Sequence, residues 1–532
     1  MKKHNKFCQT PISLFVAFVA AGGVGVLQAA ELVNNESYQI RWDNTVKYQV
    51  GMRTQSPSSL NLSNPNTNDG TGAFDKYDLI TNRVDLLTEF DFNLKDEAQS
   101  GFRISASAWY DNVYDQSHQR ITENYNQRSV DNDEFTAYAK DQAGRDVRLL
   151  DAFVHSGFAL GDRYVSWRAG QHTLIWGESL FFAGNGVAGT QAPVDAYKAA
   201  SVPSALAKEV FMPVNQVSTI LSLTDQLSLE AYYQLEFQET LVPAPGTYWS
   251  AFDGGFKGGE SLFLAPGFAI PRADNLDPPE HSGQWGVALK YRDYENDMDY
   301  GLYYTRHTAK TPQTYVRLNN AFAPEDYFFV YPEKIDTFGA SVSSKIGNTN
   351  VAAEISFRDN MPLTSGALIV PPGADADGRN NPAYAVGQTI HAQVSSITVF
   401  NPTAIWDSAA LSGEIGLAHL HKVTKNDEVR NTSTVRTATG VRGVFEPTWF
   451  QVFPGTDLKL PISLGYNFTG LSAVDPGFNG GAAHGGDIGA GLKFTFENNL
   501  RGGISYTHYM GEKEKQAYND RDFVMFDIAY SF

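Results

Sequence analysis

The stretch Val524-Met525-Phe526-Asp527-Ile528-Ala529-Tyr530-Ser531-Phe532 places Val524, Phe526, Ile528, Tyr530 and Phe532 at every second position. Successive side chains of a β-strand point to opposite faces, so this segment reads as a strand with one continuous apolar face. An apolar face on a strand is buried either against a protein core or against lipid. The rest of the chain has to decide between them.

The same alternation recurs toward the N-terminus. Tyr38, Ile40, Trp42, Val46, Tyr48, Val50 and Met52 share a face, with Arg41, Asp43, Lys47 and Gln49 on the other. Val84, Leu86, Phe90, Phe92 and Leu94 stand opposite Asp85, Glu89, Asp91 and Asn93, and Leu227, Leu229, Ala231, Tyr233, Leu235 and Phe237 opposite Ser228, Glu230, Gln234 and Glu236. Short turns (Lys95 to Ser100, Leu160 to Asp162, Asp225 to Gln226, Glu295 to Asp297, Gly347 to Asn350, Asn498 to Asn499) alternate with long polar or Gly/Pro-rich connections such as Thr54 to Thr81 and Asn112 to Arg145. That rhythm puts turns at one rim and loops at the other, as in a closed transmembrane antiparallel β-barrel. The pattern predicts about 18 strands, within a range of 16 to 20, starting near 37, 83, 101, 146, 163, 214, 227, 283, 299, 335, 350, 388, 408, 433, 457, 485, 501 and 522. An even number leaves both termini in the periplasm. Aromatic residues, 13% of the chain, gather at strand ends (Tyr291 and Tyr294, Tyr303 and Tyr304, Tyr530 and Phe532), where interfacial girdles belong.

The final strand resembles the C-terminal signal read by the outer-membrane barrel assembly machinery, with its terminal aromatic and apolar residues at alternate positions. Residues 1–30 have the order of a secretory signal: Lys2, Lys3 and Lys6, an apolar run from Ile12 to Leu27, then Gln28-Ala29-Ala30. The single cysteine, Cys8, precedes the apolar run, which excludes an acylated lipoprotein. Cleavage would leave one barrel over 31–532, with a net charge changed from −18 to −21 by the loss of three lysines. Such a charge argues against nucleic acid as a partner. The expected setting is the outer membrane of a Gram-negative bacterium, in contact with its lipid and lipopolysaccharide.

Several ordered stretches resemble the proteobacterial outer-membrane family known as domain of unknown function 1302. They are Arg168-Ala169-Gly170-Gln171 with Trp176-Gly177-Glu178-Ser179, Leu206 to Val214, Gly246 to Asp253, Gly283 to Leu289, and Tyr331 to Gly339 running on to Glu354-Ile355-Ser356 and Pro362-Leu363. The resemblance implies a barrel working beside a periplasmic or lipoprotein-like partner and an inner-membrane exporter of the resistance-nodulation-division type. It also implies a setting of hydrophobic-compound or steroid metabolism.

Two connections are too rich in aromatics for bland surface loops. Segment 172–212 holds Trp176, Glu178, Phe181 and Phe182 and a short helix from about Ser204 to Val210. Segment 240–282 holds Tyr248, Trp249, Phe252, Phe256, Phe263 and Phe268 among Gly and Pro. Rings that no strand buries hide from water by folding into the lumen, so at least one of the two is expected to act as a plug segment; surface loops packed on one another are the alternative. Trp176, Glu178, Phe181, Phe182, Tyr248, Trp249 and Phe252 are then the candidate ligand path, with Asp85, Glu89, Glu230 and Glu236 as lumen carboxylates.

Catalysis is not expected. The eleven histidines are scattered and no G-x-S-x-G stands out. His419 and His421 share a strand face with Ile415 and Leu417, which suits a membrane boundary better than a metal site. Asp375-Ala376-Asp377-Gly378 reads as a solvated turn because the remaining calcium ligands are missing. No cofactor and no metal are expected. The leading function is a channel or transporter for a hydrophobic or amphipathic compound. A general diffusion porin is the alternative, and a structural or adhesion barrel the third reading.

Overall fold

The computed structural model describes residues 30–118, 124–273 and 278–532. The secretory signal expected over 1–30 lies outside them, apart from Ala30. So do residues 119–123 and 274–277 of the long connections.

Alternation produces a closed barrel. Its antiparallel sheet contains 20 strands, two of which are not separate staves. Ala30–Asn34 is a short arm pairing with the first turn-side residues of Tyr38–Arg53. Thr456–Lys459 and Ile462–Asn467 are one stave interrupted at Pro461, whose ring nitrogen has no hydrogen to give the ladder. Eighteen staves remain, from Tyr38–Arg53 to Phe523–Ser531, and these two close the ring with Val46 opposite Tyr530 and Val50 opposite Phe526.

The two faces divide as a bilayer-spanning barrel requires. Val147, Leu302, Ile355, Val394 and Ile415 point outward and are more than half exposed. Their neighbours Glu354, Gln393 and Glu414 point inward and are at most 5% exposed. His419 and His421 lie on the outer face, His419 bonded to Thr437 at 2.8 Å, and no cluster of metal-binding type occurs among the described residues. Tyr291 and Tyr300 stack at 6.2 Å near the short-turn rim. Tyr303, expected at the boundary, instead faces inward and is 6% exposed, because Tyr300, Leu302 and Tyr304 have the outward parity on that strand.

The long connections contain structure that alternation alone does not announce. Ser261–Ala265 and Phe268–Pro271 form a hairpin. Gln313–Leu318, Pro324–Val330 and Leu368–Val370 form a three-stranded sheet over the loop rim. Asp377 accepts from the backbone N–H groups of Arg379, Asn380 and Asn381, the local turn chemistry expected of that acidic stretch.

Candidate functional site

Segment 173–213 leaves the strand Arg163–His172, lies against the inner wall, and returns to the neighbouring strand Val214–Ser222. Inward carboxylates hold its first half. Glu230 accepts from the Trp176 indole at 2.8 Å. Glu354 accepts from the backbone N–H of Glu178 at 2.7 Å with one oxygen and from that of Val187 at 2.6 Å with the other. A single oxygen of Glu414 receives three consecutive N–H groups, those of Leu180 (3.1 Å), Phe181 and Phe182 (2.9 Å). Three convergent amides form a nest for negative charge, here filled by the barrel's own side chain. Arg358 completes the attachment by donating to the carbonyls of Asn185 and Gly186 at 2.7 and 2.9 Å.

Glycine permits this approach. Gly177 has φ +93°, and a Cβ there would stand 2.1 Å from Glu354 Oε2.

The second half of the segment crosses to the opposite wall. It contains two short helices, Ala196–Ser201 and Ala207–Val210, where one was expected. Lys198 reaches Ser107 at 2.9 Å and Glu209 at 3.3 Å, while Glu209 also pairs with Lys47. Burial raises the Glu209 carboxyl, but the two ammonium groups outweigh it and hold the group below its ordinary range. Lys208 pairs with Glu89, which is also bound by Arg103. Asp85 is clasped by Arg83 at 2.7 Å.

The second aromatic segment joins the first. Leu241 N–H donates to Val194 O at 2.9 Å and Ala196 N–H to Leu241 O at 2.8 Å. Trp249 packs edge-on to Tyr197 at 5.8 Å and to Tyr248 at 5.3 Å, and Tyr248 meets Phe74 at 5.6 Å. Phe523 of the closing strand lies 6.1 Å from Trp249. Beyond Asp253 the segment turns away into the outer loops: Phe263 N–H bonds to Asn66, and Phe256 stacks on Phe329 at 6.5 Å.

The expected ligand-path residues are therefore not assembled into one surface. Trp176, Tyr248 and Trp249 are at most 1% exposed and act as packing groups in two separate clusters. Phe182 is 5% exposed in a third, against Phe478 at 5.4 Å, with Phe181 beside it. Phe252 is 39% exposed and stands apart. Glu178 lines cavities of about 370 and 460 Å³ on the short-turn side. Burial, then the nearby Glu354 charge, push its carboxyl above the ordinary range.

Of the expected lumen carboxylates, Asp85, Glu89 and Glu230 bind the segment or the basic groups around it. Glu236 lies beyond its strand and accepts from Asn215 N–H at 3.2 Å. Glu354, Glu414, Arg358, Lys198 and Glu209 were not singled out from sequence as lumen groups, although Glu354 and Glu209 fall within the family-like stretches. Inward parity marks the first two, but only the fold shows which loop they hold.

A third cavity, about 390 Å³, has walls of two kinds. Phe153, Leu174, Trp176 and Ile220 supply apolar surface, and Arg103, Arg168 and Glu230 supply charge.

The sequence pattern of the family described as "Protein of unknown function (DUF1302)" matches residues 10–532. No curated protein matches significantly. Among solved structures, the outer membrane channel DcaP of Acinetobacter baumannii is similar at 9% identity and a TM-score of 0.38, covering 94% of this chain and 99% of its own. OccAB2 of the same organism is similar at 10% and 0.43, with coverages of 94% and 99%. OccK2 (OpdF) of Pseudomonas aeruginosa in complex with glucuronate is similar at 8% and 0.42, with coverages of 93% and 98%.

Proposed function

The chain belongs to the DUF1302 family of proteins of unknown function, and on that premise we propose that it is an outer-membrane channel, closed by its own segment 173–213, for an amphipathic solute. The observation that carries this reading is the cavity of about 390 Å³ beneath the segment, apolar on the side of Leu174, Trp176 and Phe153 and charged on the side of Arg103, Arg168 and Glu230. A solute with an apolar body and an ionic end matches both walls. A purely apolar route has less support, since the rings that would line it are packed away.

Opening is the withdrawal of the segment from Glu354 and Glu414, which hold its backbone amides. The outward belt of Leu302, Ile355 and Ile415 suits lipid, and the short-turn rim faces the periplasm. That rim carries Asp96, Glu97, Asp162, Asp225, Asp293, Glu295, Asp297 and Glu497 against Lys95, Arg163, Arg292 and Lys345, with Arg292 paired to Asp297. A basic periplasmic partner, handing solute to or from an inner-membrane exporter, suits such a face.

Flux into proteoliposomes tests the reading. An amphipathic probe such as a bile-acid anion should enter, or bind without entering, under conditions where neutral sugars do not swell the vesicles. Swelling by sugars with no retention of the anion supports the diffusion porin instead, for which the charged short-turn cavities suffice.

A further inference from the structure

The charged groups lining the cavity of about 390 Å³ are not equivalent. Its carboxylates are already engaged. Asp91 accepts from Arg103 Nη1 with each oxygen, at 3.2 and 3.3 Å. Glu230 takes the Trp176 indole with one oxygen and pairs with the Lys290 ammonium, at 3.2 Å, through the other. Arg103 is surrounded in turn by Glu89, Asp91 and Asp151. Arg168 is the exception. It is exposed to the lumen, its guanidinium lies 5.7 Å from the centre of the Phe153 ring, and among the described residues no carboxylate forms an ion pair with it.

Register puts Arg168 in the middle of that wall. On the strand Arg163–His172 it stands opposite His155 on one side and Ser218 on the other. The two nearby histidines are occupied, His155 with Asn93 at 3.1 Å and His172 with Gly170 O and Ser218 at 3.0 and 2.8 Å. Gly170 is paired with Phe153, and with φ +120° its Cβ would stand 2.9 Å from Phe153 Cα, so the missing side chain leaves the ring room to lie toward Arg168.

Ile220 shares the inward face with its register partner Glu230 and is 41% exposed. An exposed isoleucine runs against the polar lining usual inside such a barrel. It is the diagonal neighbour of Arg168 across the strand pair, a separation of about 7–8 Å between such positions. With Phe153 and, from the lumen segment, Leu174, it sets an apolar wall beside the unpaired guanidinium in one cavity.

We propose that the solute of this cavity is an organic monocarboxylate, its carboxylate taken by Arg168 and its apolar body lying on Phe153, Leu174 and Ile220. The proposal rests on the reading of this cavity as the solute site, and adds the sign of the charge and the residue that selects it. A carboxylate offers two oxygens in the plane of the guanidinium fork. An ammonium group meets carboxylates whose oxygens are taken, and Arg168 repels it. A neutral solute gains only the apolar contact. Because Arg168 neutralises no carboxylate of the barrel, its loss strands no buried charge.

Equilibrium dialysis of the full-length barrel in detergent, with detergent alone as the blank, tests this with naphthoate, naphthamide and naphthylmethylammonium. The three probes share one apolar body and differ in the charge of the end. Native protein should hold naphthoate roughly tenfold or more tighter than naphthamide, the gain expected of a charge-assisted pair, and naphthylmethylammonium least. Arg168→Gln should lower naphthoate to the level of naphthamide and leave naphthamide unchanged, while Arg168→Lys keeps part of the preference. Ile220→Ser should weaken naphthoate and naphthamide by the same factor. Heat-modifiable migration checks that each variant is folded. Equal binding of naphthoate and naphthamide by the native protein, or a preference that survives Arg168→Gln, overturns the proposal and leaves the amphipathic channel standing. Retention of none of the three probes overturns both.

Discussion

Replacing Glu414 by Gln should open the channel without unfolding the barrel. Glu414 Oε2 accepts three amide hydrogens, from Leu180, Phe181 and Phe182. Hydrogen bonds to a charged acceptor contribute about 1.5–3 kcal/mol each against about 0.5–1.5 for a neutral one, so neutralising the acceptor removes about 1 kcal/mol per bond. Three bonds give about 3 kcal/mol, and access of water to the freed amides lowers this to about 2. Each 1.4 kcal/mol is tenfold, so the ratio of seated to withdrawn segment falls about 30- to 150-fold. Single-channel recording in planar bilayers reads this as a matching rise in open probability. The closing register between Thr45–Arg53 and Phe523–Ser531 lies elsewhere on the ring, so folding, checked by heat-modifiable migration, should be unaffected. A folded Glu414→Gln barrel with native open probability would refute the idea that the amide nest holds the segment shut.

Other substitutions probe the same attachment from different sides. Gly177→Ala, which sets a Cβ against Glu354, should raise conductance as the loss of Glu354 would, whereas Gly184→Ala, with nothing within 4 Å of its Cβ, should leave the recordings unchanged. Lys47→Met strips Glu209 of one of its two ammonium partners in a site at most 4% exposed, and should lower the urea midpoint by the equivalent of roughly 3–5 kcal/mol. Glu178 has a raised pKa, so the seated state favours its protonated form and is most stable at low pH, weakening as pH rises from the ordinary carboxylate range through the raised value. Open probability should therefore increase with pH in the native protein, and Glu178→Gln should flatten that profile at its low-pH level.

The wall of the barrel was legible in the sequence because its rule is local. Alternation placed strand starts at 101, 163, 214, 227, 335 and 408, where the structure has them, and the short turns set the rest within a few residues. The boundary near 83 falls instead at Leu79, since Leu79 to Asn82 lack a clean polar–apolar alternation. The pairing Gln313–Leu318 with Pro324–Val330 was missed because its faces are both partly covered by other loops, which erases the two-sided pattern. The aromatic connections stand out in the sequence for rings that no strand buries, yet their composition could not say which ring meets which wall. Tyr248 and Trp249 are covered by residues as distant as Phe74, Tyr114 and Phe523, and such contacts leave no periodicity to read. Glu354 and Glu414 look in sequence like any inward carboxylates; their role resides in amides more than 160 residues away.

The segment that carries the amide nest begins and ends on two strands bonded to each other, Arg163–His172 and Val214–Ser222. Under the proposed gating it acts as an inhibitor covalently tethered to its receptor, present once per pore and at an effective concentration of about millimolar order for a short flexible tether. Dilution cannot remove it, and no second gene product is needed to supply it. A solute anion seeking the same amides competes against that standing local concentration, so the threshold for opening is written into the length and stiffness of the tether as much as into the affinity of the nest.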